Sequence, residues 1–244
     1  MKVNIEIFIE AMAEEKSYIE DRMQGRDSSL PDRLKAYGYE ELSEYFDDKR
    51  DYLFSQIKFN FVEVPMPNGV SEIFKMIEAN KPGVLFVDWE DTYVVCGNKG
   101  LEEFNQEYCE ANGITFFPLY TGGGTIVGSK GDFSFGVCYP KNILIDSNYI
   151  LNCVRNILQC NTSLDVSVSG NDILLGGKKI CGSATYTKAD VSMTIMHFSF
   201  NDWSELISNI CTTSKQGKEV AYVNFMSRAD FKAGVLEWLQ KNLY

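Results

Sequence analysis

A chain of 244 residues with 45% hydrophobic and 13% aromatic content can bury a sizeable core, which excludes a disordered chain and suits one large domain with or without an extension. Its 34 acids against 23 bases give a formal net charge of -11 with no basic stripe, so nucleic-acid binding through phosphate neutralisation is excluded and a small ligand or a protein partner is expected. Seven cysteines, an odd number with no CxxC pair, and a single histidine read as reduced thiols without structural zinc.

The first ten residues carry acids among their apolar side chains, and nowhere do about eighteen apolar residues run together. A soluble, cytoplasmic protein without a membrane span is therefore expected. Ile5, Phe8, Ile9, Met12, Ile19 and Met23 recur at helical spacing. A second helical pattern follows the loop 25–29 and runs through Leu42, Tyr45, Phe46, Lys49, Leu53 and Ile57. Residues 1–57 thus read as a helical N-terminal extension that packs without chemistry of its own, ahead of a domain over 58–244.

From Phe59 the texture changes. Residues 59–64 alternate like a half-buried strand, Pro65 to Gly69 reads as a turn, and Ser71 to Ala79 as a short helix. Next come strands at 84–88 and 92–95 around a turn at Glu90 and Asp91, a helix near 101–111, and a strand at 114–117. Beyond a glycine-rich stretch the pattern predicts a strand at 133–137, a helix at 147–159, a strand at 164–168 and a hairpin over 172–180. A strand at 193–200 and helices at 202–210 and 227–243 complete the chain. Hairpins dominate the middle, so an α+β fold with a mixed, largely antiparallel sheet and packed helices is expected.

Two clusters stand out. Gly122, Gly123 and Gly124 sit where a backbone either turns with positive φ or is approached closely by a ligand or strand. The spacing from Gly123 to Gly128 imitates a phosphate loop, but Ser129-Lys130 follows where Lys-Ser or Lys-Thr is required, which rejects that assignment. In the second cluster Asn171 and Asp172 start a strand, a Gly-Gly turn reverses it, and Lys179 returns just before Gly182, Ser183 and Ala184. Such a hairpin either brings a carboxylate and an amine to one end of a pocket or leaves a solvated lysine.

In order and spacing these pieces resemble the lipoate-protein ligase family of the biotin/lipoate ligase and octanoyltransferase superfamily. The resemblance begins near Val84 with Leu85 to Trp89 and Thr92 to Gly97, which look like that family's strand pair. It continues through Thr121-Gly-Gly-Gly-Thr-Ile-Val127, similar to Ser-Gly-Gly-Gly-Ala-Val-Phe, and Asn171-Asp172, similar to Asn-Asp-Leu. Lys179 to Ala184 is similar to Lys-hydrophobic-Ser-Gly-Ser-Ala and is the most specific element. The resemblance implies a biotin/lipoate ligase-like catalytic domain. Its implied reaction activates lipoate or octanoate with ATP to an acyl-adenylate and transfers the acyl group to a lysine of a lipoyl-domain or glycine-cleavage H-type acceptor.

On that resemblance Lys179 is the catalytic cation, Asp172 holds Mg²⁺ or positions the adenylate, and Asn171 donates hydrogen bonds. The glycines, with Gly182, Ser183 and Ala184, line the substrate site, while Phe133, Phe135 and Val137 wall an apolar tunnel. The sequence departs from the family where Arg-Arg is replaced by Leu119 and Tyr120 and His-Asp by Gly128 and Ser129, although Gly131-Asp132 approximates the following Gly-Asn. A second route implied by the superfamily is a cysteine-dependent octanoyl or lipoyl transferase with Cys211 as nucleophile. A third is a non-catalytic homologue that binds a small acid or a protein. Cys181 reads as pocket lining, and His197, flanked by Met and Phe, as a packed, hydrogen-bonded residue.

Overall fold

Apolar side chains on both sides of one long strand decide how the layers assemble. The computed structural model describes residues 35, 38, 40–97, 100, 103–119, 124–141, 144–211 and 219–241. The helical pattern of residues 5–23 and Gly122 and Gly123 lie outside them. The described helices are α1 (Glu40–Ser55), α2 (Asn68–Ala79), α3 (Gln106–Ala111), α4 (Ser147–Gln159), α5 (Ser204–Ile210) and α6 (Arg228–Lys241). The strands are β1 (Asn60–Pro65), β2 (Gly83–Asp88), β3 (Tyr93–Gly97), β4 (Thr115–Leu119) and β5 (Thr125–Gly128). They continue with β6 (Phe133–Pro140), β7 (Val166–Ser169), β8 (Asp172–Leu175), β9 (Lys178–Lys188) and β10 (Val191–Phe198).

Seven strands form one sheet in the order β1-β2-β6-β10-β9-β8-β7, parallel only at β1 with β2. Three more form a small sheet, β4-β3-β5. The α+β fold with a largely antiparallel sheet is as the sequence predicts. Strands 84–88 and 92–95, however, do not pair: β2 joins β1 and β6, whereas β3 joins β4 and β5. Trp89 explains the parting of the strands, because its buried ring fills the space between the two sheets rather than a hairpin turn.

Strand β6 is buried along seven of its eight residues. Its odd residues Phe133, Phe135, Val137 and Tyr139 enter the core under α1, α4 and α6, and Cys138 enters a second core shared with α2 and the small sheet. Phe231 of α6 anchors the first core, meeting the rings of Phe133, Phe135, Phe198 and Phe200. Phe54 near the end of α1 stacks on Trp238 at 5.2 Å and meets Tyr149 edge-on at 5.3 Å, so that helix closes the same layer. A third core, under α3 and α5, includes Val94, Cys96, Phe104, Cys109 and Val127.

Local chemistry fixes several element ends. Asp146 caps α4 by accepting from the Tyr149 N–H at 2.9 Å, and Asn105 caps α3 by accepting from the Tyr108 N–H at 3.0 Å. The Asn105 cap makes α3 five residues shorter than the helical pattern that starts at residue 101. Strand β5 is an element that sequence reading misses, since Thr125 to Gly128 is too short to show an alternation. Among the described residues no helix is long and apolar enough to cross a membrane.

Candidate active site

The β8–β9 hairpin turns on Gly176 and Gly177, both with positive φ (54° and 83°), a conformation that suits glycine and joins strands tightly. Between Ile173 and Leu174 the register slips: Ile173 faces Cys181, Leu174 faces Lys179, and Ile180 is left unopposed. Ile180 and Cys181 are consequently both buried in the first core. In a regular strand Lys179 would share the face of Cys181; the bulge turns it to the face of Gly182 instead.

There the Lys179 ammonium lies 2.7 Å from Asp172 Oδ1, with 36% of the lysine side chain and 6% of the aspartate exposed. Asp172 stands directly opposite Gly182 in the ladder, and a β-carbon on Gly182 would come 3.1 Å from Lys179 Nζ and 3.2 Å from its Cε. Gly182 is therefore the floor over which the lysine folds. The backbone of Lys179 is held on its other side too, its N–H donating to the Glu219 carbonyl and its carbonyl accepting from the Ala221 N–H, each at 2.8 Å. Lys178 reinforces this with a 2.7 Å ion pair to Glu219. The Asn171 carbonyl accepts from both the N–H and the hydroxyl of Ser183 at 2.8 Å, tying the start of β8 to β9.

Followed across the sheet, the row through Asp172 and Gly182 continues to His197 on β10 and Ser134 on β6. His197 Nδ1 lies 3.0 Å from Ser134 Oγ, and the Trp89 indole N–H donates to the same oxygen at 2.9 Å. His197 Nε2 has no hydrogen-bond partner and faces Asp132 Oδ2 at 3.7 Å. Asp132, fully buried, accepts from the Ser129 and Phe200 N–H groups and from the Trp203 indole. Gly128 closes this cluster from the small sheet: a β-carbon there would stand 2.6 Å from both His197 Cε1 and the Trp89 ring.

Ser134 also opens on an apolar cavity of about 30 Å³ between β2, β6, β10, α2 and the small sheet. Met66, Ile73, Leu85, Val87, Ile126 and Ile195 are among its walls, with Gly136 beside them. The tunnel expected along Phe133, Phe135 and Val137 is corrected by strand parity: those side chains point into the helical core, Phe135 only borders the cavity, and Ser134 and Gly136 of the same strand face it. Gly124 sits at the start of β5, its carbonyl accepting from the Gly97 N–H, and a β-carbon there would meet Glu103 Oε2 at 3.3 Å.

The structure thus brings together Asp172, Lys179, Gly182, Ser183 and His197, with Ala184 two residues along β9 from Gly182. Cys181 is turned into the helical core, where burial pushes its thiol well up. Cys211 ends α5 beside the third core; burial raises its thiol and Cys109 adds to the rise, while the Lys179 charge pulls the other way. Trp89, Asp132 and Ser134 are missed by sequence reasoning, although a polar residue between two phenylalanines in a strand and an acid just before it were the available signals. Among the described residues no group of three or more His, Cys, Asp or Glu is arranged to hold a metal ion. Asp172 brings one carboxylate engaged by the Lys179 ammonium, so it could hold Mg²⁺ only together with substrate phosphates and water.

Comparison with known proteins shows the class to which this fold belongs. Residues 71–229 match the lipoyl protein ligase A/B catalytic domain. The chain belongs to that family. In structure it is similar to the bipartite lipoate protein ligase of Thermoplasma acidophilum, studied with its E2 lipoyl domain (TM-score 0.64, 20% identity, 77% of this chain and 84% of that one). It is also similar to lipoate-protein ligase A bound with ATP (0.61, 21% identity, 77% and 86%) and to P. falciparum LipL1 in complex with lipoate (0.63, 16% identity, 75% and 61%). No curated protein sequence matches the chain.

Proposed function

We propose that this protein is an ATP-dependent lipoate-protein ligase, acting in the cytoplasm on lipoate or octanoate and on a lysine of a lipoyl-domain or H-type acceptor. The observation that carries the reading is the alignment of an apolar cavity with a polar row, Ser134, His197 and Gly182, that ends under the Lys179 ammonium. The apolar lining suits an aliphatic tail and the cationic end suits a carboxylate, and because the resting cavity of about 30 Å³ has room for only about one methylene, binding of the acid has to widen it. In the first step a carboxylate oxygen bonds to the α-phosphorus of ATP and pyrophosphate leaves. In the second the acceptor amine bonds to the acyl carbon, AMP leaves with the electron pair of the broken C–O bond, and a proton is released.

Lys179 stabilises the charge that builds on phosphate and acyl oxygens in both steps, and Asp172 fixes its position beforehand. Substrate phosphates compete with Asp172 for the ammonium, so the ion pair is the resting form of the site. The ligand-bound relatives support the substrate classes, and the lipoyl domain studied with the archaeal ligase supports the acceptor. The cysteine route has weaker support, because burial raises the Cys211 thiol rather than activating it. Incubation with octanoate, ATP and Mg²⁺, with acyl-AMP measured in wild type and Lys179→Ala, tests the proposal.

A further inference from the structure

A cavity of about 30 Å³ is too small for the tail of the acid, so part of its surroundings moves when the acid binds. Most of its wall is stiff. Val87, Val95, Ile126 and Ile195 are β-branched side chains set in strands, each with a narrow choice of rotamers. The two glycines in the wall differ in what closes over them. A β-carbon on Gly69 would meet both methyls of Val87, at 2.6 and 2.8 Å, and so a branched side chain of a paired strand. A β-carbon on Gly136 would meet Leu85 and Ile195 only at ordinary contact, 3.6 and 3.7 Å, and the one close atom is the Met193 methyl at 2.7 Å. Methionine is unbranched and turns about three bonds, so its end is the part of this core that moves most easily.

Met193 stands opposite Cys138, two residues beyond Ile195 on β10 and on the side away from His197 and Lys179. Its methyl folds back over Gly136 and fills a trough between Leu85 of β2 and Ile195 of β10, which flank that glycine in the sheet. We propose that Met193 is the chain-length gauge of the acyl site: its methyl leaves the trough when the acid binds, and the last carbon of an unbranched acid of about eight carbons takes its place. This deepens the ligase reading and rests on it for the acid and for Lys179 as the partner of its carboxylate.

The length of the path agrees. Ile195, which lines the cavity, is the one residue of β10 that is not buried, and it stands opposite the small, half-buried Ala184. Two residues along β9 from Ala184, Gly182 lies under the Lys179 ammonium. A carboxylate held there sends its tail past Ala184 and over Ile195 toward Gly136. Gly136 lies two strands and two residues from Gly182, roughly 12 Å on the diagonal. An eight-carbon acid spans roughly 9 Å with C–C bonds of ~1.5 Å, and a ~3 Å contact with the ammonium closes the distance. A longer tail runs on into Met193 and Cys138, both fully buried.

The test is calorimetric titration of the full-length protein with hexanoate, octanoate, decanoate and dodecanoate at neutral pH, in wild type, Gly136→Ala and Met193→Ala, below the melting transition of each. Wild type is expected to bind about fourfold more tightly per methylene up to octanoate and more weakly beyond it. Gly136→Ala fills the trough and is expected to bind octanoate about tenfold more weakly while hexanoate is little changed. Met193→Ala lengthens the trough and is expected to bind decanoate about tenfold more tightly than wild type does. A merely structural role would not move the preferred length in opposite directions, since lost packing weakens every acid alike. Gly136→Ala pushes only on a flexible chain end, so it keeps the inference testable if Met193→Ala does not fold. Dodecanoate bound by wild type as tightly as octanoate, no acid bound at all, or a length profile unmoved by Gly136→Ala overturns the inference. The expected profiles without acyl-AMP from octanoate and ATP sink the ligase reading alone. Acyl-AMP formed by wild type and Gly136→Ala with one and the same chain-length preference sinks the gauge alone.

Discussion

Lys179 and Asp172 form a 2.7 Å ion pair in which the acid is nearly buried and the lysine stays partly in water, directly above a glycine that leaves the lysine room to lie flat. Replacing Asp172 by Asn keeps the shape and removes the charge. The expected cost is about 1–2 kcal/mol, because the lysine keeps 36% of its side chain exposed and can rehydrate. Chemical denaturation checks the stability, and acyl-AMP kinetics are expected to show a clear loss of rate from a misplaced ammonium.

Gly182 sets the resting position of Lys179. A β-branched residue suits a strand, but moving the lysine takes the cation away from the nearly buried Asp172 carboxylate, so Gly182→Val is expected to cost about 1–3 kcal/mol. Its side chain takes the space 3.1–3.2 Å from Lys179 Nζ and Cε and displaces the lysine from Asp172. Adenylate formation is expected to fall by at least tenfold at temperatures where the variant is still fully folded, with the melting temperature lowered by a few degrees. Activity equal to wild type would show that the resting position of Lys179 is irrelevant.

Gly128 makes a prediction about stability. Its missing β-carbon would stand 2.6 Å from two rings packed on both sides, Trp89 and His197, neither of which is a flexible chain end. Gly128→Ala is expected to cost about 1–3 kcal/mol by overpacking and to lower the melting temperature by several degrees.

Thiol reactivity discriminates the two transfer routes. Cys160 is exposed, whereas burial raises the thiols of Cys181 and Cys211 above the ordinary value. Iodoacetamide at pH 7.5 is expected to label Cys160 first. Labelling of Cys211 is expected to rise with pH as the thiolate forms, and Cys211→Ser is expected to keep acyl transfer. Rapid labelling of Cys211 at neutral pH, with transfer lost in Cys211→Ser, would favour the thioester route.

Much of the hairpin was legible in the sequence, because Gly176-Gly177 between an acid and a lysine encodes both a turn and the charges that it brings together. The bulge at Ile180 was not, since it depends on which residues of β8 stand opposite. The same limit hid Ser134 and Asp132. A serine between two phenylalanines shows that it faces away from them, but not that Trp89 and His197 wait there from 45 and 63 residues away. The placement of Phe133 and Val137 erred for a related reason: in a sheet buried on both faces, apolar character does not say which face a residue takes.

The most direct test of the central claim is the nucleotide product formed from octanoate or lipoate, ATP and Mg²⁺ by the full-length protein. The account predicts acyl-AMP and pyrophosphate from wild type, with at least a hundredfold loss in Lys179→Ala, in line with removal of a preorganised charge from a transition state. Acyl-AMP formed at the wild-type rate by Lys179→Ala, or none formed by wild type that binds the acid, would contradict it.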